Sequence, residues 1–342
     1  MPKSRDYWRK RFELLLEAEL NKSETYLIDM EKAYIQTMSE IEKDISKWYM
    51  RFAANNEISL AEANRLLKSD ELREFRWTVE DYIKYGEKNA LNQSWMKQLE
   101  NASARVHISR LESLQIHLQQ HIEKLYGGQI DGVQRLMKET YQSTYLHTAF
   151  EIQSAFGVAF TMHAINETKL TKIISKPWTV DRMTFSDKIW RDKQLLVDTL
   201  HRELTQSIAR GQAPDKVISS IAKKLNTSRS NAARLVMTES AFFSASAQKE
   251  TFSELNIERY EIVATLDNKT SSICQSMDGQ VFKMSEYEPG ITAPPFHPYC
   301  RTTTVPYFDD DYGERIARGR DGNVYYIDSK IKYKEWKRKF VA

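Results

Sequence analysis

Cysteine is nearly absent from the 342-residue chain, with Cys274 and Cys300 its only two. Two thiols cannot build the multi-bridge framework of a small secreted scaffold, so a reducing compartment is the simpler expectation. Proline is missing between Pro2 and Pro177, while five of the eight prolines fall between Pro289 and Pro306. That asymmetry predicts a helical front and a loop-rich back. Long apolar runs are missing too. The most apolar stretch, Ala155 to Ile165, contains His163 and is far short of the about 18 residues that a membrane span needs. After the basic opening MPKSRDYWRKRF only Leu14, Leu15 and Leu16 precede Glu17, so no signal-peptide core is expected. Charge of one sign is scarce: 50 Lys and Arg against 47 Asp and Glu leave +3, which argues against nucleic-acid binding driven by bulk charge. What remains, 41% hydrophobic and 28% charged residues, is enough for two or three domains with real cores.

Leu27, Met30, Tyr34, Met38, Ile41, Ile45, Trp48 and Phe52 follow steps of three and four, which predicts one stripe of a long helix. Ser59 and Ser69 are N-cap candidates for two further helices. A third long helix is expected from about Ser94 to Tyr126, stopped by Gly127 and Gly128, and a fourth from about Gln129 to Ile165. Leu196, Leu200, Leu204 and Ile208 place a helix after Ser186 that ends at Gly211. Pro214 suits the first turn of a short helix to about Leu225, and another helix follows from Ser228 to Leu255. From Glu258 the runs YEIVATL, QVFKM, RTTTVPY and NVYYI are short, β-branched or aromatic, which predicts strands. The expected class is α+β, with four stretches. Residues 1–170 form a long-helix region, 171–257 a helical linker, 258–310 a strand-and-loop part, and 311–342 a tail with a basic aromatic end.

The most specific chemistry lies in that third stretch. Cys274, His297 and Cys300 are donors of the kind Zn²⁺ selects, and His297-Pro-Tyr-Cys300 has the two-residue gap of a metal knuckle. Asp267 can complete a tetrahedron. One structural Zn²⁺, inert packing of two small buried thiols, or a disulfide are the three readings of these residues. No H-x-E or H-E-x-x-H partner offers a general base beside such a metal. Residues 214–236 have the outline of a DNA-reading helix-turn-helix with Arg229 and Arg234 on its second element, although a plain helical hairpin fits as well. His117 and His121, four apart on a helix, lack a third ligand in sequence. Both ends are basic, with five Lys or Arg in 1–11 and five in 331–342, and suit either phosphate contact or a solvated terminus.

The runs RLVMTESAFFSASAQKE, YEIVATLDNKTSSICQSMDGQVF and PPFHPYCRTTT resemble the Mu F-like minor head proteins, the head morphogenesis proteins of tailed phages. The resemblance covers roughly Leu195 to Tyr307, and the helical front is similar to the version in phages of Gram-positive hosts. The family's R-x-x-x-T-E falls on Arg234, Thr238 and Glu239, its D-x-x-T on Asp267 and Thr270, and its D/N-G-x-x-F on Asp278, Gly279 and Phe282. Its P-P-x-H-P-x-C-R falls on Pro294, Pro295, His297, Pro298, Cys300 and Arg301. Where many members read C-R-C, Thr302 stands after Arg301, so that cysteine's ligand role is missing. The resemblance implies a non-enzymatic minor capsid protein, made in the host cytoplasm and then held inside the virion near the portal. Its implied partners are the portal, other capsid or scaffold proteins and packaged DNA; the long amphipathic N-terminal helices suit self-association as well. Arg234, Thr238, Glu239, Gly279, Pro295 and Arg301 are expected to serve structure. The competing functions are a metal-dependent nuclease, an ADP-ribosyl transferase and a helix-turn-helix DNA binder.

Overall fold

The computed structural model describes residues 4–54, 110–156, 162, 165–209, 214–308, 314–318 and 324–328. Five α-helices precede the first strand in these residues: α1 (Arg5–Ala54), α2 (Arg110–Phe156), α3 (Glu167–Ile174), α4 (Phe185–Ala209) and α5 (Pro214–Glu254). Then follow β1 (Arg259–Ala264), α6 (Ser272–Met277), β2 (Val281–Lys283), β3 (Thr302–Pro306), β4 (Glu314–Arg318) and β5 (Val324–Asp328). The class is therefore α+β, as expected. The N-cap candidates Ser59 and Ser69, and the basic aromatic end after 328, lie outside the described residues.

Two helices are longer than their sequences suggest. Gly127 and Gly128 do not stop α2, which runs through both and through Gly132. A glycine inside a helix costs roughly 1 kcal/mol, but Leu125, Tyr126, Gln129 and Val133 are all buried beside the pair, and that packing outweighs the propensity. Nor does the chain turn at Asn226. Helix α5 is one rod of 41 residues beginning at Pro214, so neither a hairpin nor a helix-turn-helix exists there. The Thr227 hydroxyl donates to the Lys223 carbonyl and the Ser230 hydroxyl to the Asn226 carbonyl, both at 3.0 Å, so these turn-forming residues are satisfied inside the helix.

The chain packs as two units, and neither is a continuous stretch. One comprises 1–27, 133–184 and 233–342, the other 28–132 and 185–232. The order of textures along the sequence is thus not the order of packing.

In the first unit a three-stranded antiparallel sheet has the order β2-β1-β3, with Glu261 opposite both Val281 and Val305. Its core gathers Trp8 and Phe12 from α1, Ile152 from α2, Phe252 from α5, Tyr260, Ile262 and Val263 from β1, and Val305 from β3. Each such side chain contributes roughly 1.5–3 kcal/mol on leaving water. The ends of α1 and β1 are locked by charge as well as by packing. Arg5 and Arg9 both donate to the Glu261 carboxylate, which is fully buried. The basic opening segment is therefore neither frayed nor free for phosphate, at least at these two positions. Helix α5 is tied to β3 through the Gln248 side chain, which bonds the hydroxyls of Thr303 and Thr304 at 3.0 and 2.9 Å. The expected tail instead contains a hairpin, since β4 pairs with β5 from Glu314–Asp328 to Arg318–Val324.

Most of the predicted stripe on α1 is buried: Met30, Tyr34, Ile41, Ile45 and Trp48 lie in the second unit's core, Leu27 and Met38 are half-buried, and the Phe52 side chain lies outside the described residues. Tyr34 donates to Gln129 at 3.1 Å and its ring meets Tyr126 edge-on. Tyr126 in turn donates to Asp192 at 2.6 Å, and Lys193 reaches both oxygens of buried Glu123 at 2.9 Å. Leu196, Leu200 and Leu204 of α4 are buried as their spacing predicts. His117 and His121 face acids: His121 lies 3.0 Å from Glu40 and 2.9 Å from Asp44.

Candidate metal centre

The centre is assembled from two loops that flank the sheet in the first unit. Beyond β1, the segment 265–271 is tied down by short polar links. The Thr265 hydroxyl donates to the Arg301 carbonyl and the Thr270 hydroxyl to the Thr265 carbonyl, both at 2.5 Å. Ser271 then caps α6, its hydroxyl accepting from the Cys274 amide at 3.2 Å, which fixes Cys274 in the first turn and buries it. The turn Asp278-Gly279 returns the chain to β2. Gly279 has φ of 72° and its amide donates to Ile262, while Asp278 accepts from the Ala264 amide. A side chain at Gly279 would meet the left-handed penalty that glycine avoids.

The second loop leads into β3. It carries a cis bond between Pro294 and Pro295 and a left-handed residue, Tyr299, with φ of 60°. That reversal at Tyr299 sets His297 and Cys300 side by side. Helix α5 supports it: the Tyr299 amide donates to the Thr238 hydroxyl at 3.4 Å.

Three ligand atoms converge. The Cys274 sulfur lies 3.1 Å from His297 Nε2 and 3.7 Å from the Cys300 sulfur, and all three atoms are within 4.8 Å of one another. Both cysteines are buried and unbridged. A disulfide requires an S–S separation near 2.05 Å, whereas two thiolates on one tetrahedral Zn²⁺ stand about 3.8 Å apart, given Zn–S bonds of about 2.3 Å. The observed spacing fits the second case. His297 is prepared as a ligand, because its Nδ1 lies 2.7 Å from the Pro298 carbonyl. A carbonyl only accepts, so Nδ1 carries the proton and Nε2 presents its lone pair to the sulfurs.

The thiols are unequal. A hydrogen bond from Cys274 holds Cys300 down at about 6 against its burial, with further help from the backbone at Phe296 and the Thr302 hydroxyl. The same contact with Cys300, together with burial, pushes Cys274 up. A divalent ion bound between the two sulfurs would take the place of the proton that links them.

Asp267 is not part of this cluster. Arg301 grips it with both guanidinium nitrogens, one at 2.8 Å, and the Lys269 amide and Thr270 hydroxyl donate to it at 2.9 and 3.1 Å. Burial alone would raise its carboxyl, but the Arg301 hydrogen bonds and charge outweigh burial and hold it below the usual carboxylate range. An ion pair with Arg301 thus replaces the fourth ligand expected of Asp267. Pro295 is buried beside Gly290.

Glu239 is buried one residue along α5 from Thr238, and there it accepts from the Trp178 indole at 2.8 Å. The indole stacks on Phe242 with ring centres 4.2 Å apart. Glu239 thereby ties α5 to the α3–α4 connection. Arg234 is exposed. Sequence reasoning missed Glu261, Trp178 and Gln248; a charged residue inside the β-branched run YEIVATL was the available signal for the first.

Fold and site together define a helix-rich α+β protein with a small sheet that carries a partly buried Cys-His-Cys centre. Residues 198–305 match the family described as Phage Mu protein F like protein. This stretch of the chain therefore carries a Mu F-like module. No curated protein and no solved structure is similar enough to match. Among the described residues no helix is long and apolar enough to cross a membrane.

Proposed function

We propose that this protein acts by binding and not by turnover, inside the procapsid near the portal, where it assists head assembly and DNA packaging or delivery. On this reading it is made in the host cytoplasm and retained in the capsid interior, with the portal and other capsid or scaffold proteins as partners, packaged DNA within reach, and self-association through the long helices. Cys274, His297 and Cys300 hold one structural Zn²⁺, whose bonds join the α6 loop to the turn at Tyr299. The observation that carries the reading is the coincidence of the family match over 198–305 with the convergence of those three side chains inside it. Burial of Glu239 under Trp178 counts against a transferase, which needs that acid at an open cleft. A continuous α5 removes the helix-turn-helix.

Co-expression of tagged protein with the portal, followed by affinity purification and elemental analysis, tests both parts. Retention of portal subunits together with about one zinc per chain is expected. A preparation that leaves the portal behind refutes the binding partner, and one free of zinc refutes the structural metal.

A further inference from the structure

We propose that the centre binds its metal ion through only three protein atoms and keeps a fourth position for a small exogenous ligand, water or a monoanion, in the cleft beside Lys269. This rests on the reading that Cys274, His297 and Cys300 hold a divalent ion. Four-coordinate Zn²⁺ needs one more donor, and among the described residues only these three supply ligand atoms within the cluster. Asp267, the carboxylate on the neighbouring loop, is committed to Arg301, the Lys269 amide and the Thr270 hydroxyl. The Thr302 hydroxyl bonds both thiols, but it is neutral and outside the habitual Cys, His and carboxylate donor set.

Space and charge point the same way. Cys274 and His297 form part of the wall of a narrow solvent-open cleft that also takes in Lys269, Thr270, Tyr299, Arg301 and Thr302, with room for about one water-sized group. Two thiolates and a neutral imidazole cancel the charge of a divalent ion. Arg301 is balanced by Asp267, and exposed Lys269 adds positive charge at the mouth. Such a position favours water or a monoanion over a second cation. Three protein ligands with one exchangeable position distinguish this centre from a closed structural knuckle.

The test loads the full-length apo-protein with Co²⁺ and adds azide. One equivalent of Co²⁺ is expected to give sulfur-to-metal charge transfer and the ligand-field bands of a four-coordinate ion, and azide is expected to shift those bands saturably. Lys269→Ala weakens the azide response several-fold, and Asp267→Asn leaves the azide-free spectrum as it was. Ligand-field bands of the bound ion that ignore saturating azide, or that change in Asp267→Asn, overturn the open position. Absence of the charge-transfer band removes the metal altogether, and this proposal with it.

Discussion

Arg9 in α1 and Glu261 in β1 are 252 positions apart in sequence and in direct contact, with side chains 1% and 0% exposed. Arg5 adds a second guanidinium to the same carboxylate and lies over the Tyr307 ring. A carboxylate taken wholly out of water is tolerated only when paired and hydrogen-bonded. Arg9→Met leaves Glu261 with Arg5 alone, and the expected loss is about 3–5 kcal/mol. Adding Glu261→Met to Arg9→Met is expected to recover part of that loss, because the fully buried carboxylate is gone and the remaining cation, Arg5, reaches solvent and lies over the Tyr307 ring. Urea unfolding of the two variants checks this; a double variant no more stable than the single one refutes the charge argument.

His117 predicts an acid limb in stability. Burial lowers its pKa from 6.5 to about 4, opposed by Asp44 at 3.9 Å and reinforced by His121 and Lys47. The folded chain therefore holds His117 neutral where the unfolded chain would protonate it. Its contribution is complete above pH 6.5 and is lost as pH falls toward 4, and at about 1.4 kcal/mol per unit it totals on the order of 3 kcal/mol. In calorimetric scans across this window, His117→Gln is expected to lose less stability than the parent chain. Parallel curves would show that another group carries the acid limb.

Asn226 is exposed within a continuous helix. Asn226→Ala is accordingly expected to stabilise by about 0.5 kcal/mol, the difference in helix propensity. Destabilisation on chemical denaturation would mean that the chain turns there.

Metal addition and removal give the fourth prediction. An ion that binds only the folded chain at a hundred times its dissociation constant stabilises it by about 2.7 kcal/mol. Zn²⁺ is expected to raise the melting temperature of the apo-protein and a chelator to reverse the rise, while Cys300→Ser abolishes the response. An equal rise in Cys300→Ser places the ion elsewhere.

The parts legible in sequence were those with a local signal. Steps of three and four place Tyr34, Ile41 and Ile45 on a buried stripe, and soft-ligand chemistry alone singles out Cys274, His297 and Cys300. Signals that a tertiary environment can override were misleading. Gly127-Gly128 and Asn226 carry breaker propensities that neighbouring burial and back-bonded hydroxyls overcome. Asp267 offers the same carboxylate to a metal and to an arginine, so residue type alone does not separate the two. The Arg9–Glu261 pair has no local trace, since each half reads as an ordinary charged residue until the chain brings them together.

That separation bears on synthesis. Trp8 and Phe12 leave the ribosome well before Phe252, Tyr260 and Val305, which form part of their seat. Until those residues follow, the rings at the start of α1 lack the rest of their core, so it closes late and non-locally. A chaperone that shields the exposed indole and phenyl rings during that interval would protect the growing polypeptide from premature association.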